Sequence, residues 1–177
     1  MALFVITVFG EDRPGIISAI SGPITRHDGN WERSQLARLA GHFAGIVEVS
    51  VPGERYAALV AELTALEDQG LHVTIEGEEP PDVEEVEGEE FLLELLGNDH
   101  HGIVAEISAV LAEHRISIGE LHTEVRAAPM AGGHLFQARA VLVAPPEETH
   151  ALREALEGLA DELMVDLTLT DSAHSPV

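Results

Sequence analysis

Cysteine is absent from this 177-residue chain, so neither disulfides nor thiolate metal sites are open to it. Lysine is absent too: all nine basic residues are arginine, against 32 acidic ones, for a net charge of −23. Such a field repels nucleic-acid phosphate and argues against direct nucleic-acid binding. Its plainest reading is a surface made to stay solvated. No apolar run approaches the roughly 18 residues of a membrane helix. The opening MALFVITVFG lacks the basic start and cleavage-like site of a signal peptide and reads as a strand. These absences lead us to expect a cytoplasmic protein without membrane attachment and without cofactor or metal.

What is present is a duplication, the feature to look for first in any chain. An offset of 87 residues places Phe4 on Phe91, Gly10 on Gly97, Asp12 on Asp99, Gly15 on Gly102, Ile16 on Ile103 and Ile20 on Ile107. The register slips by about six residues inside RAAPMAGGHL and then resumes. A turn is where a duplicated domain tolerates an insertion best.

Each half shows the same order of elements. LFVITVF suits a buried strand, and a helix follows from about Gly15 to His27, with Ile16, Ile17, Ile20 and Ile24 on one face. Pro23 inside that helix predicts a kink or an early end. Strands over Trp31–Leu39 and His42–Val51 are joined by a tight turn at Ala40 and Gly41. A second helix opens at Pro52 and Glu54 and closes at Gly70, and LHVTIE is a last strand. The second half predicts strand Phe91–Leu96, helix Ile103–His114, strands near Ile116–Arg126 and His134–Val143, a helix led by Pro145 to Glu147, and strand Met164–Thr170. The fold class is therefore α+β: two ferredoxin-like βαββαβ units, each a four-stranded antiparallel sheet with two helices on one face. The first unit covers residues 1–76 and the second 90–171. Between them, 77–89 form an acidic linker with two prolines that predict an extended course, and 172–177 form a flexible tail.

The loops GEDRPG and GNDHHG leave the first strand of each unit and enter its first helix. Asp12 reads as the helix N-cap, Pro14 is tolerated where first-turn N–H groups lack partners, and the flanking glycines allow a sharp turn. That is a complete structural account. The functional one is that exposed N–H groups at a helix start attract a carboxylate, such as that of an amino acid, while Asp12 pairs with its ammonium group.

DRPGI after a strand, with GNW fifteen residues past Gly15, resembles the ACT domain. Two such units with little else resemble tandem ACT-domain proteins of the glycine cleavage system transcriptional repressor type. The first unit matches at Gly10, Asp12, Pro14, Gly15 and Asn30; in the second, His100 and His101 replace Arg-Pro and Ser117 stands where Asn30 does. The resemblance implies a non-enzymatic regulatory protein. It would bind a small amino acid, of the glycine or serine class, at domain interfaces and signal to a DNA-bound protein partner, and it would be a homodimer. Carried over, the ligand-binding residues are Gly10, Glu11, Asp12, Arg13, Gly15, Asn30 and Trp31, with Asn98, Asp99, His100, Gly102 and Ser117 as their counterparts.

Two rival readings stand beside it. A metal-dependent enzyme would use Asp99, His100 and His101 with His122, although no HExxH, GxSxG or Walker spacing is present. A protein-interaction module that has lost its ligand is the other. Trp31 is open to both a core position and an exposed anchor at an interface.

Overall fold

The computed structural model describes residues 1–76, 88–128 and 133–171. The linker at 77–87, the tail at 172–177 and the heart of the expected insertion at 129–132 lie outside the described residues. The chain divides into two compact units, each with its own four-stranded sheet.

In unit 1 the strand β1 (Ala2–Glu11) buries Phe4, Ile6 and Val8 on one side, as strand alternation requires. The helix α1 (Ile16–Arg26) lays Ile16, Ile20 and Ile24 on that face at four-residue steps. Ile17 belongs to a different stripe: it is exposed, contrary to the expected apolar face. Pro23 does not end the helix; it packs into the core, and α1 runs on to Arg26. β2 (Asn30–Leu39) and β3 (His42–Val51) pair through a two-residue turn. Ala40 and Gly41 there both have positive φ, 50° and 80°, the handedness a two-residue hairpin favours. α2 (Gly53–Thr64) passes into a 3-10 segment (Ala65–Gln69) stopped by left-handed Gly70. β4 (Leu71–Glu76) completes a sheet of order β2-β3-β1-β4 in which every pairing is antiparallel.

Unit 2 repeats this with β5 (Glu89–Asn98), α3 (Ile103–Glu113), β6 (Ser117–Ala127), β7 (His134–Ala144), α4 (Thr149–Leu163) and β8 (Val165–Asp171), in the order β6-β7-β5-β8. A 3-10 segment (Pro146–Glu148) precedes α4, and Met164, expected to open the last strand, is instead the left-handed cap of α4. One core holds Phe4, Ile20, Val49, Leu59 and Leu63, and the other Phe91, Ile107, Leu142, Leu152 and Leu156. Both helices of each unit thus cover the same sheet face, which hides the apolar side of every strand except where an edge strand outruns the helices.

The duplication reaches into backbone detail. β2 bulges between Trp31 and Arg33, and β6 bulges between Ile118 and Glu120, so Glu32 and Gly119 are equivalent extra residues.

Candidate functional site

β1 and β5 each end at a buried glycine that lets the neighbouring edge come close. A Cβ on Gly10 would lie 2.7 Å from the Gly70 carbonyl oxygen, and one on Gly97 would lie 2.2 Å from Val165 Cγ1. Past that point each loop is pinned by one backbone bond: the Asp12 N–H donates to the Gly41 carbonyl and the Asp99 N–H to the His134 carbonyl, both 2.9 Å. Gly15 and Gly102 then turn the chain into the helix at φ 92° and 95°. The first intrahelical bonds run from Ala19 N to Gly15 O and from Glu106 N to Gly102 O. The expectation that Asp12 caps α1 is therefore corrected: the N-cap position is Gly15, and neither α1 nor α3 receives a side-chain cap. The strand and hairpin take up the Asp12 amide and hold this residue too early in the loop to serve the helix.

With no capping side chain, the first-turn N–H groups of α1 keep their partial positive charge unanswered. The Asp12 carboxylate is engaged sideways, 3.3 Å from the Arg38 guanidinium on β2. Arg13 donates to the Gln69 carbonyl at 3.0 Å, tying the loop to the end of the 3-10 segment. Glu11 is exposed and pairs with His42, whose ring stacks on Phe9.

The remaining unit 1 residues lie elsewhere. Asn30 pairs with Ser50, which pairs with Leu3, whereas Glu11 at the loop pairs with His42. β1 and β2 are both antiparallel to β3, hence parallel to each other, so the end of β1 and the start of β2 lie at opposite ends of the sheet. Eight strand residues separate the levels of Leu3 and Glu11, about 27 Å. Within one unit the loop and Asn30 are not brought together. At its own end Asn30 joins a small polar cluster. Glu32, the bulge residue, accepts from Ser50 Oγ and from Asn30, and these hydrogen bonds hold its carboxyl below the usual range. Trp31 is half-buried against the unit 1 core.

In unit 2, Asn98 and Asp99 are exposed, and His100 sits with Nδ1 3.2 Å from the His101 carbonyl. Ser117 is half-buried at the start of β6, again at the far end of its sheet. The position of Arg38 is held here by Val125, so Asp99 has no equivalent guanidinium from the strand. Instead Glu106 lies in the first turn of α3, its Oε1 3.5 Å from where a Cβ on Gly102 would be. The metal set of the rival reading is not assembled: His122 pairs with Arg139 in mid-strand, whereas Asp99 bonds to His134 at the strand end. Among the described residues no three His, Cys, Asp or Glu side chains are grouped to hold a metal ion.

Three residues that matter at these sites escaped the sequence reading: Arg38, Glu32 and Glu106. Only strand pairing reveals the first two. Glu106 carried a signal of its own, an acid in the first turn of a predicted helix.

Fold and loops define a class, a tandem of βαββαβ modules with glycine-turned helix entries. Residues 2–76 and 89–170 each match the ACT domain, and the chain belongs to that family. An unknown protein from Galdieria sulphuraria is 31% identical, with 96% of this chain and 98% of that one covered and a TM-score of 0.83. A candidate glycine cleavage system transcriptional repressor shares the two-unit fold at 20% identity and TM-score 0.70, with 96% of each chain covered. A formyltetrahydrofolate deformylase from Burkholderia mallei aligns over 49% of this chain and 29% of its own, at 26% identity and TM-score 0.41. No curated protein matches. Among the described residues no helix is long and apolar enough to cross a membrane.

Proposed function

We propose that this is a cytoplasmic, non-enzymatic regulator that binds a small amino acid, of the glycine or serine class, through the loop of unit 1. It passes the bound state to a protein partner in the transcriptional control of amino-acid metabolism. The observation that carries the reading is the start of α1: an exposed, uncapped helix N-terminus turned by Gly15, with the Asp12 carboxylate in the same loop. The helix start suits a carboxylate and Asp12 an ammonium group, in competition with Arg38.

Because Asn30 lies about 27 Å away along its own sheet, a site that uses both the loop and Asn30 is completed only by a second copy of the chain, which brings its own Asn30 end to the loop. This fits a homodimer that binds its ligand at domain interfaces. The α3 entry is the poorer site, since Glu106 already brings a carboxylate to it. The charge of −23 fits a partner that itself contacts DNA.

A thermal-shift panel of the twenty amino acids tests the reading. A ligand at about 100 times its dissociation constant stabilises the native state by about 2.7 kcal/mol, a rise of about 5–10 °C. Asp12→Asn removes the ammonium partner and shrinks that shift. Silence across the panel, confirmed by calorimetry, leaves the interaction module as the better account.

A further inference from the structure

Glu32 is the extra residue of the β2 bulge, and its exposed carboxylate bonds sideways within the sheet. Oε1 accepts from Ser50 Oγ on β3, and the Asn30 side chain donates a second bond. Ser50 is the one buried polar side chain among the described residues, and strand register sets Asn30 opposite it. The turn that delivers Asn30 is fixed. The Gly29 N–H donates to the Ile24 carbonyl at 2.9 Å, and a Cβ on Gly29 would lie 3.0 Å from the carbonyl oxygens of Ile24 and Ser50. The bonds from Ser50 and then Asn30 hold the Glu32 carboxyl below its usual range, so it is ionised at neutral pH. Among the described residues no arginine or histidine pairs with that charge, and the adjacent Arg33 bonds to Glu48 at 2.7 Å.

The backbone does not require this carboxylate. Unit 2 keeps the bulge with Gly119 in place of Glu32, while Ser117 and Val143 stand where Asn30 and Ser50 do. A Cβ on Gly119 would meet only the Val141 carbonyl oxygen, at 3.7 Å, so the bulge itself accepts either residue. What unit 1 adds is chemistry. The Ser50 hydroxyl hydrogen and an Asn30 N–H are committed to Glu32, so the cluster offers acceptors: the remaining carboxylate lone pairs and the Asn30 amide oxygen. Acceptors around one unpaired negative charge suit a compact cation that only donates, and a primary ammonium with three N–H groups is such a cation. We propose that Asn30, Glu32 and Ser50 form an ammonium site. In the two-copy site Glu32 of one copy takes the α-ammonium group while the α1 entry of the other holds the α-carboxylate. Asp12 is the weaker acceptor there, because Arg38 already balances its charge. The proposal rests on the amino-acid reading and names the residue that selects amino acids over hydroxy acids.

Calorimetry on the full-length chain compares glycine and serine with glycolate and glycerate, which carry a hydroxyl where the amino acids carry the ammonium group. The wild type binds the hydroxy acids on the order of 10- to 100-fold more weakly than the amino acids, the strength of one charged hydrogen bond. Glu32→Gln weakens glycine and serine by about that factor and leaves the hydroxy acids unchanged, so the preference disappears. Glu32→Gly, which copies the residue at the unit 2 bulge, does the same, and Asp12→Asn has the smaller effect. Thermal melts and the fluorescence of Trp31, adjacent to Glu32, establish that each variant is folded. A wild type that binds no amino acid overturns both the ammonium site and the amino-acid reading. A wild type that binds glycine or serine, with Glu32→Gln binding it equally well or losing amino and hydroxy acids alike, overturns the ammonium site and leaves that reading standing.

Discussion

Units 1 and 2 share a backbone and differ in what they put on it. Both turn into their first helix through a glycine at φ near 90°, both pin the loop aspartate by its amide to the neighbouring hairpin, and both bulge the edge strand at the same point. The side chains then diverge in two places. The unit 1 loop keeps Asp12 beside a strand arginine and leaves its helix start uncharged; unit 2 swaps the arginine for Val125 and sets Glu106 at the helix start. The unit 1 edge strand closes over its core, and that of unit 2 exposes an apolar flank. The duplication preserved backbone geometry while the side chains at the helix entry and along the edge strand diverged.

The largest expected effects test whether the two cores are equivalent. Phe4 is fully buried and meets Tyr56 edge-on with ring centres 5.1 Å apart, while Phe91, also fully buried, lies under the Arg153 guanidinium at 5.5 Å. Phe4→Ala and Phe91→Ala should each cost about 3–5 kcal/mol. Trp31 is the chain's one tryptophan and sits in unit 1, so its fluorescence in a denaturant titration reports the first loss. Far-UV dichroism reads the second. A cost below about 2 kcal/mol at either site would break the equivalence.

Next comes the shared turn. Gly15→Ala and Gly102→Ala place a Cβ at φ 92° and 95°, where the first meets open space and the second only ordinary contact with Glu106 Oε1 at 3.5 Å, so the backbone penalty remains without a clash. Each should cost about 1–2 kcal/mol, and by the same amount. Unequal midpoint shifts would show that the loops are not the backbone copies described.

The smallest effect asks whether the units share an acid response. Arg26 and then His27 hold the Glu62 carboxyl below its ordinary range, and Arg115, with His114 behind it, does the same for Glu148. A carboxyl depressed on folding contributes stability that is complete above its unfolded pKa of about 4.3 and is lost as pH falls below that value. The gap in urea midpoint between wild type and Glu62→Gln or Glu148→Gln should therefore be present at neutral pH and close as the solution is acidified. A gap that widens in acid would reverse the sign of the argument.

Much of the fold was legible because strand and helix periodicities differ and recur here at one offset. The apolar alternation of LFVITVF, the four-residue spacing of Ile16, Ile20 and Ile24, and the glycines at 15, 70 and 102 each report a local physical requirement. The errors arose where local chemistry was read without its tertiary surroundings. Asp12 has the composition of an N-cap, but the hairpin at Gly41 claims its amide, and Gly15 starts the helix. Ile17 follows Ile16 in sequence and so falls off the buried stripe. Loop and Asn30 read as parts of one site at a domain interface, and what that reading left out is that strands joined through a helix run parallel, which sends the start of the second to the far end of the first within one unit. That consequence was available from the βαβ order alone. Arg38 and Glu32, by contrast, take their roles from strand pairing across β3 and have no signature in their own neighbourhood.

The central claim is that unit 1 senses and unit 2 does not. Amide chemical shifts of the isotope-labelled chain, followed while glycine and serine are titrated in, test it residue by residue. We predict saturable shifts at Glu11 to Ser18 and at Asn30, with Asn98 to Glu106 unmoved in the wild type and recruited only in Glu106→Gln. Shifts confined to the second loop, or none in either with any amino acid, would contradict the account.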